Sequence, residues 1–173
     1  ATGNTVESER AVHALELAAE GAQVAVVSGG DPGVFAMASA VVEAAAEPRF
    51  ADVEVQVVPG VTAAQAAAAR VGAPLGHDHC VLSLSDRLKP WSVIEQRLEA
   101  VAAADLALAV YNPASRSRTW QVAAAREVLL RHRAAETPVV LARDVGGEEE
   151  NVRVTTLGEL HPQAVDMRCI LLV

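Results

Sequence analysis

Apolar and polar positions along this chain follow two alternating periods. Residues 6–19 place Ala11, Leu15 and Ala18 at helical spacing. Glu7 and Glu9 sit in the first turn, where acidic side chains suit the helix dipole. Gly21 is a natural helix stop. Residues 23–28 form a β-rich apolar run that predicts a strand buried on both faces. A helical pattern over 34–46 follows, then an alternating Val-Glu-Val-Gln-Val-Val strand over 53–58. Pro59-Gly60 breaks the pattern, and Thr62 can cap a helix over 63–71. The rest reads as a strand over 80–84, a helix over 90–103 opened by Pro90, and a strand over 105–111 closed by Asn112-Pro113. A helix over 118–132 and a strand over 138–143 come next. An acidic turn at 146–150, a strand over 152–156, a short turn at 157–160 and a last strand over 168–173 complete the chain.

Helices separate the first five strands, which predicts parallel α/β units with right-handed crossovers. No long helix lies between the last two strands, so part of the second sheet is expected to be antiparallel. The expected architecture is α/β in two lobes, with residues 1–58 carrying mostly parallel sheet and residues 59–173 a mixed sheet. Pro59-Gly60 is the expected hinge. The chain begins with Ala1 and a loop-like stretch over residues 1–5, and is expected to start inside a longer protein.

Composition narrows the function. Half of the 173 residues (51%) are apolar and only 3% aromatic, so Ala, Val and Leu must build the core. The net charge of −8 comes without an evident basic patch, which argues against nucleic acid. No apolar run approaches the ~18 residues that span a bilayer. There is no signal peptide pattern. Cys80 and Cys169 form no C-x-x-C pair and read as buried thiols, which suits a reducing cytoplasm.

The chemistry-bearing candidates cluster where predicted strands end, the usual ligand position in open α/β sheets. Gly29, Gly30 and Gly33 flank Asp31. Their backbone permits close approach of a ligand, and Asp31 can accept from a hydroxyl or ammonium. An Asx-type turn joining strand to helix explains the same residues. Neither a Walker A loop nor a G-x-G-x-x-G fingerprint is present. Pro59-Gly-Val-Thr-Ala63 and Tyr111-Asn112-Pro113 end two further strands. His77-Asp78-His79 suggests a metal, but the Gly and Asp around it argue for a loop, and no other His or Cys lies at ligand spacing; no metal is expected. Arg116 and Arg118 suit the carboxylates of an acidic substrate, or simply a solvated helix start.

Taken in order, Ser28-Gly-Gly-Asp-Pro-Gly-Val-Phe35, Pro59-Gly-Val-Thr-Ala63, Gly72-Ala-Pro-Leu-Gly-His-Asp78, Leu82-Ser-Leu-Ser-Asp86, Pro90-Trp91, Tyr111-Asn-Pro113 and Val154-Thr-Thr-Leu-Gly-Glu-Leu160 resemble the tetrapyrrole (corrin/porphyrin) methyltransferases. Within them the chain is similar to the branch that methylates C17 of precorrin-3B with ring contraction. The resemblance implies S-adenosylmethionine (SAM) in a cleft between two α/β lobes, usually in a homodimer. It implies Gly29, Gly30, Asp31 and Val34 along the methionine part of SAM, followed by Thr62 and Ala63. Tyr111 and Asn112 are implied near the adenosine, with Val145, Thr155 and Thr156 close by. The tetrapyrrole substrate carries carboxylates, for which Arg87, Arg116 and Arg118 are the candidates. His77 and Asp78 are the candidates for proton transfer. An analogue carrying cobalt, another methylation site, or an inactive fragment are the alternatives. The family begins with a strand and a Gly-Pro-Gly turn that this sequence lacks, so the first lobe is expected to miss a central strand.

Overall fold

The computed structural model describes residues 4–173 and divides into two units, Ala1–Thr62 and Ala63–Val173. The loop reading of residues 1–3 lies outside the described residues, whereas residues 4 and 5 already belong to the first helix.

The second unit holds helix α3 (Ala63–Val71), strand β1 (His79–Ser83), helix α4 (Trp91–Ala103), strand β2 (Ala107–Tyr111), helix α5 (Gln121–Leu130) and strands β3 (Pro138–Arg143), β4 (Asn151–Thr156) and β5 (Cys169–Leu172). The strands form one sheet in the order β1-β2-β5-β3-β4. β1 and β2 are parallel, and the other pairs are antiparallel. The mixed sheet expected from the missing helix is therefore present.

Side-chain alternation along the strands builds two cores. Leu108, Val110, Val139, Leu141 and Leu171 point to one face and pack with Ile94 and Leu98 of α4 and Val122, Val128 and Leu129 of α5. Ala109, Val140, Ala142, Ile170 and Leu172 point to the other and meet Ala64, Ala67 and Ala68 of α3. Both faces are covered, which is why these strands read as continuous apolar runs.

The first unit contains α1 (Asn4–Ala19) and α2 (Ala38–Ala45), which pack through Ala11, Leu15, Val41 and Phe50. Gly21 ends α1 with φ +95°, donating to Ala18 O while Ala22 N–H donates to Leu17 O, as its placement predicts. The two strands predicted here are not formed. Residues 23–28 and 53–58 run outside any helix or strand and pair with no strand among the described residues. A strand exists only as one side of a hydrogen-bonded pair, so β-rich sequence alone does not make one. α2 also starts four residues later than its pattern suggests, because Phe35 has φ +51° and residues 32–37 form turns. No helix among the described residues is long and apolar enough to cross a membrane.

Candidate functional site

Asp31 organises the first unit's turns. Its Oδ1 accepts from Gly33 N–H at 2.7 Å, and its Oδ2 from Gly60 N–H at 3.1 Å. The first bond is the Asx turn. The second ties the turn after residues 22–27 to the turn after 53–58. Gly30 takes φ +76°. At Gly60 a Cβ would land on the Gly30 carbonyl oxygen, so only glycine fits this close approach. Gly29 has open space where a side chain would be. The backbone of residues 29–30 is exposed, and Val34 is half-buried beside it with its N–H on Asp31 O.

In the second unit the strand registers decide which candidates share an edge. Ser83 pairs with Tyr111 at the carboxyl ends of β1 and β2, and the end of β3 at Arg143 points the same way. Tyr111, Asn112 and Val145 therefore follow strand ends on one edge of the sheet. Ala63 and Thr62 stand at the start of α3, whose Ala64 N–H donates to Tyr111 Oη at 2.9 Å. Tyr111→Phe should destabilise this unit by about 1 kcal/mol by orphaning that N–H. An unchanged thermal midpoint would show that water replaces the hydroxyl.

Asn112 adopts φ +48°, a conformation asparagine tolerates better than most residues. Its Nδ2 donates to Ser83 Oγ at 3.0 Å, and its carbonyl accepts from Arg118 Nη1 at 3.0 Å. Burial lowers the Arg118 pKa, with Asp86 opposing and Arg87 reinforcing the shift. Arg118 Nε is buried without a hydrogen-bond partner among the described residues. Arg87 and Arg116 are exposed. Lys89 is depressed too, by burial and then by Arg97.

Two members of this polar cluster escape a reading of the sequence. Gln121 is 1% exposed, donates from Nε2 to Asp86 Oδ2 at 3.2 Å and leaves Oε1 unpaired among the described residues. Its signal is a polar residue on the buried stripe of Val122, Ala125, Val128 and Leu129. Asp86 lies inside a quoted motif, but spacing alone gives it no partner.

His77, Asp78, Thr155 and Thr156 are placed elsewhere. The loop carrying His77 and Asp78 is exposed and precedes β1, whose first residue pairs with Ala107. His79 Nδ1 lies 3.1 Å from His77 O. Thr155 and Thr156 pair with Val139 and Pro138, at the amino end of β3. All four residues lie toward the sheet edge opposite Tyr111. Thr156 Oγ1 accepts from Glu159 N–H at 3.2 Å.

An ion network surrounds Val145. Arg70 grips Glu150 through two bonds of 2.6 and 3.0 Å, and Arg143 and Arg168 share Glu149. The Arg70 hydrogen bond holds Glu150 below the usual carboxylate range, and Arg143 then Arg168 do the same for Glu149. A depressed folded-state pKa gives stability that is complete above the ordinary carboxylate value and lost as pH falls through the lowered one. The thermal midpoint should drop below about pH 4.5, less steeply at high salt because the pairs are exposed. Glu150→Gln should flatten that dependence; an unaltered profile would remove this pair from the explanation.

Comparison with known proteins gives the chain's family. The family described as Tetrapyrrole (Corrin/Porphyrin) Methylases matches residues 1–161. The chain belongs to the tetrapyrrole methylase family. Among relatives, the cobalamin biosynthesis protein CobIJ of Mycobacterium tuberculosis is 60% identical across 98% of this chain. This chain spans about a third (34%) of that protein. A precorrin-3B C(17)-methyltransferase of Sinorhizobium is 47% identical across the whole chain, which covers 69% of it. The crystal structure of the methyltransferase CobJ superposes with a TM-score of 0.92 at 49% identity, covering 96% of this chain and 70% of that one. A uroporphyrin-III C-methyltransferase from Thermus thermophilus shares the fold at a TM-score of 0.69.

Proposed function

We propose that this tetrapyrrole methylase chain serves a SAM-dependent methyltransferase of cobalamin synthesis that methylates C17 of precorrin-3B, or its cobalt-containing analogue, with ring contraction. The observation that carries the reading is the Asp31 carboxylate bridging Gly33 and Gly60 N–H groups. It fixes two glycine turns while the backbone of Gly29 and Gly30 stays exposed. That arrangement fits a cofactor with an amino-acid end held by main-chain groups. The names of the Sinorhizobium and Salmonella relatives, a precorrin-3B and a probable cobalt-factor III C(17)-methyltransferase, support the substrate.

SAM, when bound, supplies a methyl group already activated by its sulfonium. The protein's own work is alignment and proton handling. Gly29, Gly30, Asp31 and Val34 would hold the methionine part, with Thr62 and Ala63 continuing from it. Tyr111, Asn112 and Val145 would hold the adenosine. Arg118, desolvated and half-paired, suits a substrate carboxylate, and Arg87 and Arg116 suit others. The family resemblance gives Thr155 and Thr156 a role toward the cofactor, and His77 and Asp78 are the candidates for the proton transfers that ring contraction needs. Action as a homodimer in the cytoplasm belongs to the same proposal.

Calorimetry with S-adenosylhomocysteine tests the reading. Saturable heat that weakens at least tenfold in Asp31→Ala is expected. A folded sample giving no heat sinks the cofactor assignment for this chain. NMR of the product made by the full-length enzyme from labelled SAM identifies the methylated carbon, and a carbon other than C17 overturns the substrate assignment.

A further inference from the structure

Among the described residues, only Ser83 and Gln121 are polar and buried. Ser83 has evident work in the loops after β1 and β2. Its Oγ accepts from Asn112 Nδ2 at 3.0 Å and from Ser85 N–H at 3.2 Å. Gln121, the first residue of α5, reaches one partner, Asp86. An apolar side chain there would continue the stripe of Val122, Ala125, Val128 and Leu129. The amide instead leaves its oxygen buried and unpaired among the described residues, which costs stability. Such costs are carried mainly where a site needs them.

The amide's orientation is forced. The Asp86 carboxylate only accepts, so the Gln121 NH2 faces it and Oε1 faces away. Asp86 is close enough for its charge to favour the Arg118 cation against burial and against Arg87. Yet Asp86 and Arg118 form no ion pair among the described residues; Nη1 of Arg118 donates to Asn112 O, and its Nε is unpartnered. Arg70 shows what the same edge of an arginine does with a carboxylate within reach. Its Nε and Nη2 close on Glu150 at 2.6 and 3.0 Å. We infer that Gln121 is a positioning residue of the candidate site: it holds the Asp86 carboxylate off Arg118, so that Arg118 stays on the Asn112 carbonyl and the turn after β2 keeps its shape.

An uncharged donor suits this task. It occupies Asp86 Oδ2 without cancelling the charge that Arg118 feels. Without it, a charge-assisted fork between Asp86 and Arg118 would outcompete the single bond to the Asn112 carbonyl. Asn112 holds φ +48° at that turn, a conformation that needs its surroundings to fix it. That the turn serves a cofactor rests on the function proposed above; that Gln121 restrains Asp86 does not.

Gln121→Glu tests this, because a protonated carboxyl donates to Asp86 as the amide does and an ionised one cannot. Burial and the adjacent Asp86 make the introduced carboxyl hold its proton above the ordinary carboxylate range. Arg87, Lys89 and Arg118 in the flanking loops and Arg97 of α4 oppose this, while Glu95 and Glu99 of α4 are engaged by Arg131 and His132. The Arg118 Nε–H resonance in nitrogen-15 NMR should match the wild type at pH 5 and depart from it at pH 8. Circular dichroism and hydrogen–deuterium exchange confirm that the variant is folded. Affinity for S-adenosylhomocysteine, relative to wild type at the same pH, should be unchanged at pH 5 and at least tenfold weaker at pH 8. A resonance that tracks the wild type at both pH values overturns the inference, as does a pH-dependent resonance with unaltered affinity. If the wild type gives no heat, the cofactor reading fails and the resonance alone decides the role of Gln121. Gln121→Leu should weaken binding at both pH values, and adding Asp86→Asn should recover at least threefold, because the carboxylate that captures Arg118 is gone. A double variant no better than Gln121→Leu also overturns the inference.

Discussion

Gly60→Val is expected to abolish detectable binding of S-adenosylhomocysteine and to destabilise the first unit by about 1–3 kcal/mol. The new Cβ would fall on the Gly30 carbonyl oxygen, and its next neighbours are Gly30 C at 3.2 Å and Asp31 Cα at 3.7 Å. All are backbone, so no side chain can rotate away. The two turns must separate, and Asp31 Oδ2 then loses the Gly60 N–H it accepts from. Asp31→Ala removes the same bond without the clash, together with the Gly33 bond. It should weaken binding less than Gly60→Val does. Calorimetry on both variants, with exchange or circular dichroism to show the fold is retained, makes the comparison. Wild-type affinity in Gly60→Val would show that the junction of the two turns is irrelevant to the ligand.

Leu108→Ala should lower the stability of the second unit by about 2–5 kcal/mol, or roughly 10–20 °C in midpoint. Leu108 is fully buried on β2, which lies between β1 and β5, opposite Cys80 and among Leu98, Val139 and Leu171. Neighbours on three elements cannot all collapse into the space a leucine leaves. Leu171→Ala opens the same region from β5, so the double variant should lose less than the sum of the two. A loss below about 1 kcal/mol for Leu108→Ala would mean that the α4–α5 face relaxes freely. The affinity for S-adenosylhomocysteine should fall only near the new midpoint, because Leu108 sits inside the sheet and away from its edge.

Sequence patterns captured what depends on neighbours along the chain. β3 forms over the predicted residues 138–143, and Gly21 stops α1 because a left-handed residue is needed there. Patterns failed where a distant partner decides. Residues 23–28 and 53–58 have strand composition but, among the described residues, no strand to pair with. The helix predicted from residue 118 begins at Gln121, because Ser115 and Arg118 first bond to each other across a tight turn. At the candidate site, the glycine turns and Asp31 are legible because turn chemistry is local. The Asp86–Gln121 contact spans 35 residues and is visible only in three dimensions. Likewise, Thr155–Thr156 and Tyr111–Asn112 both read as ends of strands, yet the antiparallel run of β4 sends them to opposite edges.

The two tryptophans of the chain, Trp91 and Trp120, meet edge to face with ring centroids 4.8 Å apart at the starts of α4 and α5. Unit Ala1–Thr62 contains neither. Emission excited in the indole band therefore reports from a single spot in Ala63–Val173. A melt followed by this light and again by far-ultraviolet dichroism separates the order in which the two halves come apart, with no label attached.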